Sequence, residues 1–154
     1  MNYNYTINKK TLAIVPISER STKIYEKDDI IIIPKNTQKL IEENCEYYGS
    51  SYSGRKKGTV DLIGVTHKTP IIIEETTGLI FFPTSSPRLK SCSWISLNNV
   101  DNYKKQDNYT VITFENNLKI KLPVSEKIIN NQVLRATRLE SVMYRRKKDL
   151  NQQK

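Results

Sequence analysis

Residues 110–122 read Thr110-Val111-Ile112-Thr113-Phe114-Glu115-Asn116-Asn117-Leu118-Lys119-Ile120-Lys121-Leu122, two β-forming runs around an Asn-Asn pair. A two-residue Asn116-Asn117 turn would set Phe114 opposite Lys119 and Ile112 opposite Lys121. A three-residue loop, Glu115 to Asn117 with Asn117 in the left-handed region, instead pairs Phe114 with Leu118 and Ile112 with Ile120. A one-residue slip moves every side chain to the other face, so the second register is expected. Pro123 closes the hairpin and Ser125 follows as the N-cap of a long helix. Glu126 in its first turn and Arg145, Arg146, Lys147 and Lys148 in its last suit the helix dipole. At the helical period Ile128, Ile129, Val133, Ala136, Leu139, Val142 and Met143 share one broad face. Lys127, Leu134, Arg138, Arg145 and Lys148 lie opposite. This is an amphipathic helix docked on a sheet, with a basic outer stripe.

Upstream of the hairpin the chain reads as short strands separated by punctuation. Thr11 to Val15 is a strand expected to stop at Pro16. Ile30 to Ile33 is a continuous apolar run, compatible with a strand buried on both faces. Thr37 to Glu43 has helical character, with Asn36 or Thr37 as N-cap. A strand pattern is expected from Thr59 to Thr66. Pro70 to Ile73 and Leu79 to Phe82 are two apolar runs joined by a Thr76-Thr77-Gly78 turn. Together these predict an α+β fold: a mainly antiparallel β-sheet with a short early helix and a long C-terminal amphipathic helix. Residues 1–148 are expected to form a single domain, with 149–154 a disordered tail.

The chain has 154 residues, a normal size for one domain that needs no disulfide or metal to fold. Apolar residues make up 37% and cluster instead of scattering, and mean hydropathy is −0.58. There are 25 Lys and Arg against 16 Asp and Glu, for a formal net charge of +9. Such an excess favours polyanionic partners such as nucleic acid or acidic lipid. No basic N-terminal region leads into an apolar signal core, and no apolar run approaches the length of a membrane span. The expected location is cytoplasmic, with Cys45 and Cys92 reduced and no membrane partner.

The stretch Cys45 to Thr59 combines Tyr47, Tyr48 and Tyr52, Gly49, Gly54 and Gly58, Ser50, Ser51 and Ser53, and the basic run Arg55-Lys56-Lys57. It suits a loop lying close to a phosphate backbone. Glycine permits close approach, N–H groups and serine hydroxyls bond phosphate oxygens, and the cations release counterions. Two enzyme motifs come near and fail. Gly49 and Gly54 have P-loop spacing, but Arg55 takes the lysine position and Lys56 the hydroxyl position, and a strand, not a helix, is expected after Gly58. Ser51 has Gly49 two residues before it but Ser53 two after, so there is no nucleophile elbow. His67, the one histidine, could join Cys45 and Cys92, but there is no CxxC and no fourth zinc ligand. Core packing is the favoured reading of both cysteines and of Trp94. No catalytic constellation, cofactor site or metal site is read, so an enzyme is not expected.

The run Tyr48 to Lys56, with Gly58-Thr59, resembles the signature of the ComK family of competence transcription factors of Gram-positive bacteria. His67-Lys68-Thr69-Pro70-Ile71, Phe82-Pro83-Thr84, Cys92-Ser93-Trp94-Ile95-Ser96 and Asn131 to Thr137 follow in that family's order. The resemblance implies a transcription activator of competence (DNA-uptake) genes that binds AT-rich boxes, largely through the minor groove, as an assembly of more than one subunit at the nucleoid. Family members continue past the long helix into an extension linked to activation and adaptor-dependent proteolysis. RNA polymerase and a proteolytic adaptor are therefore implied as further partners, and the stop at Lys154 opens an alternative: an interaction module that modulates a longer relative by co-assembly. No helix-turn-helix, zinc-finger or basic-zipper pattern is present, so a loop-and-strand reader is expected. The DNA-binding residues are expected to be Ser50, Ser51, Tyr52, Arg55, Lys56, Lys57, His67, Lys68, Arg135 and Arg138. Arg55, with Lys56 or Tyr52, is expected to enter a narrow A·T minor groove.

Overall fold

The structure is a computed structural model that describes residues 4–153. Its larger sheet is antiparallel and six-stranded. The strands are β1 (Thr11–Ser18), β2 (Ser21–Glu26), β3 (Ile30–Ile33), β4 (Ile71–Glu74), β5 (Leu79–Pro83) and β6 (Trp94–Ser96), in the spatial order β3-β2-β1-β6-β5-β4. Two helices, α1 (Thr37–Tyr47) and α2 (Tyr52–Ile63), interrupt the strand sequence between β3 and β4. A second sheet follows, made of β7 (Val100–Gln106), β8 (Tyr109–Phe114) and β9 (Lys119–Leu122), and the chain ends in α3 (Glu126–Gln152).

Alternation along the central strands sorts their side chains onto two faces. Ile14, Ile24, Ile71, Ile73, Phe81 and Trp94 form one core with Leu40, Ile41 and Cys45 of α1. Ala13, Ile72, Ile80, Phe82 and Ile95 form another with Ile112, Phe114, Ile120 and Leu122 of the small sheet and Ile129, Ala136 and Leu139 of α3. The large sheet is thus covered by α1 on one side and by the small sheet and α3 on the other. This is the α+β arrangement expected, with its short early helix and long C-terminal one.

The hairpin has the three-residue register: Ile112 pairs Ile120, the Phe114 N–H donates to the Leu118 carbonyl at 2.9 Å, and Asn117 has φ 71°. Asn36 caps α1 through Lys39 N–H, and Ser125 caps α3 through Ile128 N–H. Other expectations are corrected. β1 runs on through Pro16, which pairs with Thr22 of β2 on one side only, where a missing N–H costs no ladder bond. β3 is not buried on both faces; it is a sheet edge, with Ile30 50% and Ile32 64% exposed. α3 stays helical through Gln152, past the tail expected from residue 149.

Candidate nucleic-acid interface

The Tyr-Gly-Ser-Arg-Lys stretch is mostly helix, not loop, and no strand begins at Thr59. Ser51, in extended backbone, accepts a hydrogen bond from Gly54 N–H at 3.0 Å and so starts α2. Gly64, at φ 72°, ends it in the left-handed conformation that glycine adopts without strain. Two internal glycines oppose a helix by about 1 kcal/mol each, which is why the local sequence reads as loop. Tertiary contacts override them. The Tyr52 ring meets Trp94 edge-on at 6.3 Å, Arg55 pairs with Glu75, and the buried Thr59 hydroxyl donates to the Pro70 carbonyl at 2.9 Å. Leu62 and Ile63 add their side chains to the second core.

Facing this helix is a groove of about 510 Å³. α2 contributes Tyr52 and Lys56, the α2–β4 connection contributes Thr66, His67 and Lys68, and the β5–β6 connection contributes Ser86, Pro87 and Arg88. Gln38 and Glu42 of α1 complete the wall, and Glu42 is its one carboxylate. Among the described residues Lys56, Lys68 and Arg88 have no ion-pair partner, so three free cations converge here. Lys68 sits at φ 49°, a left-handed angle that costs an L residue about 1–2 kcal/mol. Its carbonyl is held at 2.8 Å by the side-chain N–H of Gln132, which also bonds the Pro83 carbonyl at 2.8 Å. Gln132 is buried on α3 and ties both groove-forming connections to that helix.

The basic surface continues onto α3. Arg135 donates to the His67 carbonyl at 3.2 Å and to Gln132 Oε1 at 3.0 Å, and Arg138 is exposed one turn further on. Lys57 is exposed beside Lys56. Of the residues expected to bind DNA, the fold therefore gathers Tyr52, Lys56, His67 and Lys68 at one groove, with Lys57, Arg135 and Arg138 on neighbouring surface. Ser50 and Arg55 lie elsewhere, in a separate hollow with Glu74 and Glu75, and Ser51 is spent on capping α2. The Arg55 side chain is only 11% exposed and its charge is met by Glu75, so it braces α2 against the β4–β5 turn. Next to it, burial pushes the Glu74 carboxyl up but hydrogen bonds from Thr77 and Thr76 outweigh that and hold it at about 2.

Two contributors escaped the sequence: Arg88 and Gln132. The Ser- and Pro-rich run Thr84 to Ser91 around Arg88 was a usable signal. Nothing local marks Gln132. Tyr52 is half-buried against the first core, and that burial raises its hydroxyl pKa. Cys45 and Cys92 are buried in that same core, and burial pushes the Cys45 thiol up to about 11, away from the reactive thiolate. Among the described residues no cluster of His, Cys, Asp and Glu could hold a metal ion. Nor is any described helix long and apolar enough to cross a membrane.

The family model described as ComK protein matches residues 2–148. The competence transcription factor of Bacillus subtilis (strain 168) is 32% identical over 142 residues, which covers 90% of this chain and 74% of that relative. No solved structure matches the chain.

Proposed function

The chain belongs to the ComK family, and from that premise we propose that it is a competence transcription regulator that binds double-stranded DNA through the groove beside α2. The observation that carries the reading is the convergence of unpaired Lys56, Lys68 and Arg88 on one groove, continued by Arg135 and Arg138. Cations so placed displace counterions from phosphates, a sequence-independent contribution that weakens as salt rises. The preference for AT-rich boxes comes from the narrow A·T minor groove, whose enhanced negative potential draws in an arginine. Arg88 is the better reader than Arg55, because its charge is free and it stands at the groove on an exposed connection. The protein acts on the chromosome in the cytoplasm, as an assembly of more than one copy.

The test is a fluorescence-anisotropy titration on AT-rich and GC-rich duplexes at two salt concentrations. A preference for AT-rich duplex that persists while overall affinity falls with salt supports the reading. Equal binding to both duplexes that vanishes with salt overturns it and leaves co-assembly with a longer family member as the role.

A further inference from the structure

The edge strand β3 carries four consecutive isoleucines, and two of them face solvent. Its hydrogen-bonding pattern follows from one contact: Glu26 N–H donates to the Asp29 carbonyl at 2.8 Å across the β2–β3 turn. Antiparallel pairs alternate between bonded and non-bonded. In the register of Ile24 with Ile31 and Thr22 with Ile33, the backbone groups of Ile31 and Ile33 therefore turn toward β2. Those of Ile30 and Ile32 turn outward. Asp29 Oδ1 accepts the Ile30 N–H at 2.8 Å, while among the described residues the Ile32 N–H and carbonyl are left open at the edge. An apolar edge with open backbone groups is a template for another strand.

We propose that β3 pairs antiparallel with β3 of a second copy, about a two-fold axis at Ile32, so that the two large sheets become continuous. The occupant is a second copy because the edge is self-complementary. With Ile32 opposite Ile32, each N–H meets the other copy's carbonyl, and the Ile30 N–H keeps its bond to Asp29. Pro34, which has no N–H to offer, falls opposite Ile30. The acidic turn Asp28-Asp29 of each copy falls against the Lys35-Asn36 end of the other, with Asp29 opposite Lys35, whose ammonium also meets Glu43 of its own chain at 2.9 Å. The exposed Ile30 and Ile32 side chains lie on one face of the strand and cover their counterparts across the axis. So short a pairing buries little surface, which makes the dimer weak and concentration-dependent. This inference rests on the self-assembly part of the reading above and not on the DNA contacts.

The test is run without DNA, so its failure leaves the DNA-binding reading standing. In a bonded antiparallel pair the facing Cα atoms are about 5.5 Å apart, within the roughly 4.4–6.8 Å that a disulfide spans. Ile32→Cys is expected to form a covalent dimer rapidly under copper-phenanthroline oxidation. Ile17→Cys, at a site 53% exposed in the parent but away from the axis, is expected to cross-link far more slowly. By sedimentation velocity the parent is expected to dimerise with rising concentration, while Ile32→Lys stays monomeric with an unchanged melting temperature. Equal cross-linking of the two cysteine variants, a parent that stays monomeric, or an Ile32→Lys protein that dimerises like the parent would each overturn the proposal.

Discussion

Helices α2 and α3 pack against each other beside the basic groove, but they are held by different means. α3 has a good N-cap and a periodic apolar stripe, and it docks by burying Ile129, Ala136 and Leu139 in the second core. α2 contains Gly54 and Gly58, buries only Thr59 completely, and is held by separate contacts to Trp94, Glu75 and Pro70. One helix is stabilised by its own pattern and the other by what surrounds it. The helix that lines the groove is then the one whose position depends most on its neighbours. Changes in α3 should act on the stability of the whole molecule, and changes around α2 should act on the groove.

The largest effect is expected from Leu139→Ala, which leaves a cavity under α3. A loss of about 2–5 kcal/mol in urea unfolding is expected, with DNA affinity retained in the fraction that stays folded. Gln132→Leu comes next, because the buried carbonyl of Pro83 and the part-buried carbonyl of Lys68 lose their donor. A cost of roughly 1–3 kcal/mol is expected, together with weaker DNA binding, because Lys68 and the β5–β6 connection lose their anchor. If affinity is untouched, the link from α3 to the groove is wrong. Ser51→Ala removes the cap of α2 and should cost about 1 kcal/mol. Faster amide exchange is expected in α2 and not in α3.

The smallest effect concerns the turn that braces Arg55. Glu74 has its folded-state pKa depressed to about 2, below the roughly 4.3 of an unfolded glutamate. Its contribution to stability is therefore present above pH about 4.3 and is lost as pH falls toward 2. Glu74→Gln should flatten that part of the pH dependence of unfolding, with stability slightly lower than the parent's at neutral pH and the same as the parent's near pH 2.

The same contrast decides what could be read from the sequence. α3 and the β8–β9 hairpin were legible because their patterns are local: Ser125 starts the helix, its stripe is periodic, and only one hairpin register buries Ile112 with Ile120. α2 was not legible, because Gly54, Gly58 and the serines describe a loop until Trp94, Glu75 and Pro70 are brought against them. β7 was missed because only Val100 and Tyr103 turn inward in a run that is otherwise polar. Ile30 to Ile33 reads as a strand, but its apolar run does not reveal that it sits at the sheet edge, since periodicity does not show how many neighbours a strand has. At the groove, Tyr52, Lys56, His67 and Lys68 stood out by composition. Arg55 looked the same in sequence, but it lies on the other side of α2, where Glu75 meets it. Gln132 was invisible because its partner Lys68 is 64 residues away.

The central claim is that one groove, and not the overall charge of +9, binds DNA. The most direct measurement compares two triple variants by anisotropy on the same AT-rich duplex. Lys56→Ala/Lys68→Ala/Arg88→Ala strips the groove. Lys104→Ala/Lys119→Ala/Lys121→Ala removes equal charge from the exposed outer face of the small sheet. The groove variant is expected to lose most of its affinity, with the salt dependence reduced by roughly one unit of slope for each phosphate contact removed. The sheet variant should bind nearly as the parent does. Equal losses in the two variants would contradict the claim and reduce DNA binding to generic electrostatics.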